Sequence, residues 1–151
     1  MQISNRFSIG VHILVLVALQ EEAEILTSES LAASVGVNPV IVRKVMSQLR
    51  KAQLIQTRQG LAGIELGREP AAISLFEIYQ ATGGIGADQL FRYHETPNPQ
   101  CEVGRTIHGV LDHHLQEVQA AMEAPLKHQS LADILKTSQE KSAGEAGATK
   151  G

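Results

Sequence analysis

Apolar residues recur at Ile9, Ile13, Leu16 and Leu19, a helical spacing that predicts a first helix over about residues 5–21. Thr27 or Ser28 can cap a second helix that runs to Val35 with Leu31, Ala32 and Val35 inward. Gly36 ends it, as glycine does where a left-handed backbone is needed. Asn38-Pro39 opens a third helix to about Lys51, the asparagine capping free N–H groups and the proline pre-shaped for the first helical position. Two short extended segments, 54–58 and 64–66, flank Gly60-Leu61-Ala62-Gly63 and predict a hairpin. Ser74-Leu75-Phe76-Glu77 is a capping box for a fourth helix that stops at Gly83-Gly84.

Asn98-Pro99 repeats the cap-then-proline start, which predicts that Cys101 lies in the first turn of a fifth helix. Ile107, Leu111, Leu115, Val118 and Met122 fall on one face of that helix, and Pro125 is expected to end it. Ser130-Leu131-Ala132-Asp133 can cap a last short helix. From Thr137 onward there is no apolar period, and the segment 137–151 is expected to be a disordered tail. The run from Ile9 to Leu19 is interrupted by His12 and is too short for a bilayer, so a buried helix in a cytoplasmic protein without membrane contact is expected.

Charge changes this picture. The chain carries a formal net charge of -3, yet the window from Ser30 to Ile64 holds Arg43, Lys44, Arg50, Lys51 and Arg58 and no acid. An acid-free basic window inside an acidic protein is what phosphate neutralisation on a DNA duplex requires. It coincides with a helix-turn-helix pattern: a small residue for close helix approach (Ala32), a sharp turn (Gly36), and an inward face of Val42, Val45, Met46 and Leu49 on the second helix. The opposite face carries Val40, Arg43, Lys44, Ser47, Gln48 and Lys51, which offers hydrogen bonds to base edges and an apolar contact for a thymine methyl. Thr27, Ser28 and Asn38, at the helix starts, join them as candidate DNA contacts, and Arg58 at the base of the hairpin is placed for phosphate or a minor groove. A winged helix used only for docking proteins is the alternative, and it would not need the acid-free window.

The expected fold is therefore mainly α: a winged helix-turn-helix DNA-binding domain over 1–83, a connecting loop with Cys101 over 84–102, and a long dimerisation helix plus short terminal helix over 103–136. The stripe Ile107, Leu111, Leu115, Val118 and Met122 is too long for one small head to cover, which predicts a homodimer on a pseudo-palindromic operator in double-stranded DNA.

The series Leu31-Ala32-Ala33-Ser34-Val35-Gly36-Val37-Asn38-Pro39, then Val42-Arg43-Lys44, then Leu49-Arg50-Lys51-Ala52-Gln53-Leu54-Ile55 resembles the Rrf2 family of bacterial winged-helix transcriptional regulators. Arg58-Gln59-Gly60-Leu61-Ala62-Gly63, Ile73-Ser74-Leu75-Phe76-Glu77-Ile78 and Asn98-Pro99-Gln100-Cys101-Glu102-Val103-Gly104 extend the match over all but the tail. The resemblance implies a homodimer paired through the long helix, and usually repression relieved by a redox or metabolic signal. The wing is poorer in glycine than the usual Arg-Gly-rich form, a departure that bears on its minor-groove contact.

Many members of that family hold an iron–sulfur cluster on three cysteines before the dimer helix; this chain has only Cys101. One sulfur per protomer does not supply a cluster, so no cofactor is expected. A first-turn position would favour a thiolate, which makes Cys101 a candidate redox or electrophile sensor; the alternative is a structural cysteine in a metabolite- or partner-responsive regulator. His108 and Asp112 share a helix face, but His113 and His114 diverge from it, and no metal site is expected. No phosphate-cradling loop, nucleophile elbow or metalloprotease pattern is present in the sequence, so the expectation is a regulator and not an enzyme.

Overall fold

Ile13 and Leu14 are completely buried at the middle of α1 (Arg6–Leu19), and the other elements of the head gather around them. The structure is a computed structural model that describes residues 5–84, 91 and 93–148. The parts of the expected connecting loop at 85–90 and 92, and of the expected tail at 149–151, lie outside the described residues. In chain order follow α2 (Ser28–Val35), α3 (Pro39–Lys51), β1 (Ile55–Thr57), β2 (Ile64–Leu66), a single 3-10 turn at Pro70–Ala72, α4 (Leu75–Ala81), α5 (Glu102–His128) and α6 (Leu131–Ala148). The fold is mainly helical with one two-stranded antiparallel sheet, in which Gln56 faces Glu65 and Ile55 faces Leu66.

Local chemistry explains most of the element boundaries. Thr27 caps α2 by accepting from the Ser30 N–H at 3.1 Å, while the Thr27 N–H donates to Ser30 Oγ at 3.0 Å. Gly36 closes it at φ 76°, donating its N–H to the Ala32 carbonyl at 2.8 Å. Asn38 Oδ1 then accepts from the Val40 N–H at 2.8 Å, and Pro39 begins α3. Ser74 and Glu77 form the capping box of α4. Burial raises the pKa of the Glu77 carboxyl, but hydrogen bonds from the Ser74 N–H, Arg68 and Ser74 Oγ outweigh it and hold the group below the usual carboxylate range.

Three features of the C-terminal third differ from expectation. The Asn98-Pro99 turn does not start α5. Asn98 Oδ1 accepts from the Gln100 N–H at 2.9 Å and the Asn98 carbonyl accepts from the Cys101 N–H at 3.2 Å, a self-contained turn that leaves Cys101 as the N-cap and Glu102 as the first helical residue. Gly104 is required there, because a Cβ would collide with the Asn98 carbonyl oxygen. Pro125, expected to end α5, sits inside it, and the helix continues to His128. Its ring lies on an exposed surface while the next residue, Leu126, packs against the core, so tertiary anchoring overrides the lost backbone hydrogen bond. The chain beyond Thr137, expected to be disordered, continues α6 to Ala148. Leu131, Ile134 and Leu135 fix its first turns to the core, and Gln139, Glu140, Lys141 and the alanines that follow extend an existing helix despite Gly144 and Gly147.

The same anchoring means that α6 is part of the head. Leu131 is completely buried, its N–H donates to the Ile73 carbonyl at 2.8 Å, and the Leu75 N–H donates to the Gln129 carbonyl at 2.9 Å. An isolated antiparallel bridge joins Ser74 to Ser130 between those bonds. Leu131→Ala should therefore destabilise the head by about 2–5 kcal/mol, the range for truncating a core leucine. Urea unfolding followed by circular dichroism checks this; a loss below about 0.5 kcal/mol would show that α6 is an appendage.

Candidate nucleic-acid interface

Seating α3 on α1 through Val42, Val45 and Leu49, all completely buried, decides which side chains are left outside. Val40, Arg43, Lys44, Ser47 and Lys51 are exposed, as expected. Val40 keeps 64% of its surface accessible and Ile41 keeps 38%, so the face is not purely basic. Arg50 is also exposed on the same helix. Gln48 departs from expectation: it is half-buried, its Oε1 is shut from solvent without a hydrogen-bond partner, and its amide nitrogen lies beside Gly83 after α4. The helical wheel places Gln48 at the edge of the outward face, where α4 takes it up.

Exposed Thr27 and Asn38 and half-buried Ser28 stand at the ends of α2 and α3 that border this face. The oxygens of Thr27 and Asn38 are engaged in capping, so they contribute by fixing the helix starts. Arg43 is engaged too. Its Nη2 donates to Glu29 Oε1 at 2.7 Å and its Nε donates to Ser28 Oγ at 3.3 Å, which ties α3 to the first turn of α2. The hydrogen bond from Arg43, with help from the Glu29 N–H and from Ser28, holds the Glu29 carboxyl below its usual pKa. Sequence reasoning missed Glu29 because it lies one residue outside the acid-free window.

The wing is tethered from behind. Gln20, at the end of α1, donates through Nε2 to the Val17 carbonyl at 3.0 Å and to the Ile64 carbonyl of β2 at 2.7 Å. Arg58, expected to point at DNA, is half-buried, and its Nη1 donates to the carbonyls of Glu22 at 3.0 Å and Glu24 at 3.3 Å. The loop after α1 offers carbonyls that no helix bond uses, and a long guanidinium reaches them. Arg58 thereby sets the angle of the wing. At the wing tip stands Leu61, 64% exposed, between the two positive-φ residues Gly60 and Gly63.

Below the head, α5 packs against α4 along one side. Ile107, Leu111, Leu115 and Met122 are half-buried, while Val118 is 50% exposed. Val103 and Val110, 64% and 55% exposed, widen the outward apolar stripe beyond the expected five residues. Cys101 is exposed at the N-cap of α5, and its side chain makes no capping hydrogen bond. The loop before it is clasped to the helix: Tyr93 donates its hydroxyl to Asp112 Oδ1 at 2.5 Å, its ring lies 5.0 Å from that of His108, and the His94 ring meets His108 edge-on at 5.1 Å. Among the described residues no three His, Cys, Asp or Glu side chains come together as a metal-binding group, and no helix is long and apolar enough to cross a membrane.

Comparison with known proteins agrees with this architecture. The sequence profile of Rrf2, described as iron-dependent transcriptional regulator, matches residues 3–137. The Bacillus subtilis (strain 168) protein YwnA, whose name classes it as an HTH-type transcriptional regulator, is 41% identical over 133 residues, covering 88% of this chain and 96% of YwnA. A crystal structure described as a DNA-binding protein superposes with a TM-score of 0.68 at 37% identity, covering 86% of this chain and 98% of that one. A structure from Lactobacillus plantarum described as a transcriptional regulator shares the fold, with a TM-score of 0.76 at 19% identity and 97% coverage of both chains. On the extent of the profile match and the identity to YwnA, the chain belongs to the Rrf2 family of transcriptional regulators.

Proposed function

We propose that the protein is a sequence-specific DNA-binding regulator, a homodimeric repressor whose operator affinity responds to modification of Cys101. The observation that carries DNA binding is the outward face of α3: Val40, Arg43, Lys44, Ser47 and Lys51 stand exposed on a helix whose other face is buried. Lysine and arginine there neutralise phosphates, while Arg43, Ser47 and Val40 have the chemistry to meet base edges in a major groove. The relatives described as an HTH-type transcriptional regulator and as a DNA-binding protein support the same reading.

The outward face of α5 supports homodimerisation. The exposed edge of Val103, Val110 and Val118 continues the half-buried Ile107, Leu111, Leu115 and Met122, and a second copy of the same helix is the surface that matches it residue for residue. Two heads related by a two-fold axis make the operator pseudo-palindromic.

The family description names iron, and the residues of this chain do not fit an iron–sulfur cluster. Cluster iron is held by several thiolates, and the sequence has one cysteine. What Cys101 offers instead is an exposed thiol, and that exposure supports a sensing role over a space-filling one. Attack of its sulfur on hydrogen peroxide breaks the O–O bond and transfers one oxygen, so that thiol and peroxide give a sulfenic acid and water; addition to an electrophile gives a covalent adduct instead. Either product enlarges an exposed residue at the junction between the Asn98 turn and α5. A change in the angle of α5 alters head spacing, and two half-sites engaged together respond steeply to spacing.

Arg43→Ala should lose on the order of 1–3 kcal/mol of operator affinity with relaxed specificity at one base position. Arg58→Ala should weaken all duplexes alike through loss of wing alignment, with a flattened salt dependence if a phosphate contact goes with it. Fluorescence anisotropy on an operator selected from a random pool checks both; unchanged affinity in the double variant would move the DNA surface elsewhere. Sedimentation should show a dimer at micromolar concentration, and Val110→Glu with Val118→Glu should dissociate it; a wild-type monomer contradicts the pairing. Peroxide or a quinone should change the operator affinity of the wild type and leave Cys101→Ser unchanged. Equal responses in the two proteins would remove the sensor.

A further inference from the structure

Glu29 is the one carboxylate tied to the candidate DNA-reading side chains of α3 among the ion pairs of the described residues. An exposed ion pair of this kind adds little to folding stability, since Arg43 and Glu29 retain 56% and 64% of their side-chain surface. Near a polyanion a carboxylate also works against binding. Its geometry supplies a different use. Arg43 donates through Nη2 to Glu29 Oε1 at 2.7 Å and through Nε to Ser28 Oγ at 3.3 Å, and Ser28 Oγ in turn donates to Glu29 Oε2 at 3.0 Å. The two donors engaged, Nε and Nη2, lie along one edge of the planar guanidinium. A guanidinium carries five N–H groups in a fixed fork, so the outer edge formed by Nη1 and the second N–H of Nη2 is left unspent. Two parallel N–H groups are the complement of guanine O6 and N7 in a major groove.

We propose that Glu29, with Ser28, is a positioning residue that locks the Arg43 guanidinium edge-on, so that its outer edge reads a guanine in each half-site. This rests on the reading of α3 as the helix that enters the major groove. The carboxylate lowers affinity for every duplex by adding negative charge to the interface, and it raises selectivity by removing the rotamers through which a flexible arginine would reach a neighbouring phosphate instead. Glu29 thus converts a general phosphate-seeking cation into a base reader. The arrangement spans two helices, because Ser28 and Glu29 belong to the first turn of α2 and Arg43 to the second turn of α3; the sharp turn at Gly36 is what brings them together.

The test is selection of bound duplexes from a randomised operator pool with the full-length wild type, Glu29→Gln and Arg43→Ala, combined with anisotropy on a non-operator duplex. In the wild type one position per half-site should prefer guanine by roughly 5- to 150-fold, the range for a bidentate arginine contact. Arg43→Ala should abolish that preference and weaken operator binding. Glu29→Gln should collapse the preference toward parity while binding to the non-operator duplex tightens a few-fold, with the thermal midpoint within about 2 °C of the wild type as expected of an exposed pair. Full guanine preference in Glu29→Gln would overturn the positioning role while leaving α3 as the reading helix. If Arg43→Ala changes neither affinity nor preference, the assignment of α3 fails, and the role of Glu29 fails with it.

Discussion

Burial of α1 is the interaction on which the rest of the structure depends. Ile9, Ile13, Leu14 and Val17 sit at the centre of one hydrophobic core that also takes in Leu31 from α2, Val42, Val45 and Leu49 from α3, Ile64 from β2, Ile78 from α4 and Leu131 from α6. At about 1.5–3 kcal/mol for each fully buried aliphatic side chain, this cluster dwarfs any surface ion pair in the molecule. It also has a geometric consequence. A helix seated by three buried residues spaced at i, i+3 and i+7 cannot rotate, so Arg43, Lys44, Ser47 and Lys51 are held outward by what Val42, Val45 and Leu49 do inward.

The polar contacts refine that placement. Gln20 and Arg58 strap the hairpin to the loop after α1, and Ser28 with Glu29 holds Arg43 from the neighbouring helix. These bonds are exposed or half-buried and carry little of the folding free energy. Their effect is on orientation: the hairpin is fixed to the end of α1, and Arg43 of α3 is fixed to the first turn of α2. The Ser74–Ser130 bridge and the buried Leu131 join the C-terminal helix to the same head, and Leu126 near the end of α5 packs against the same core.

Much of this is legible in the residues. Thr27, Gly36, Asn38-Pro39 and Ser74 fix helix limits by local hydrogen bonding, and local rules locate them. What the sequence does not show is long-range. Pro125 and the polar stretch after Thr137 break helix by local preference, yet both are helical because Leu126 and Leu131 reach a core assembled from residues far earlier in the chain. Asn98-Pro99 has the form of a helix start but closes a turn, since Gly104 lets the Asn98 carbonyl settle against α5. In the candidate site the outward face of α3 is read from periodicity, whereas the inward turn of Arg58, the capture of Gln48 beside Gly83 and the Glu29–Arg43 pair depend on neighbours that spacing alone does not reveal.

In the proposed complex two copies of α3 lie in successive major grooves of one duplex. Methylation interference on a selected operator tests it most directly, because a methyl group on guanine N7 blocks the major groove without altering the minor groove or the phosphates. Interference is expected at two guanine clusters related by two-fold symmetry and separated by about one helical turn, roughly 10 base pairs. Undiminished binding to duplexes methylated at every guanine N7 would contradict it.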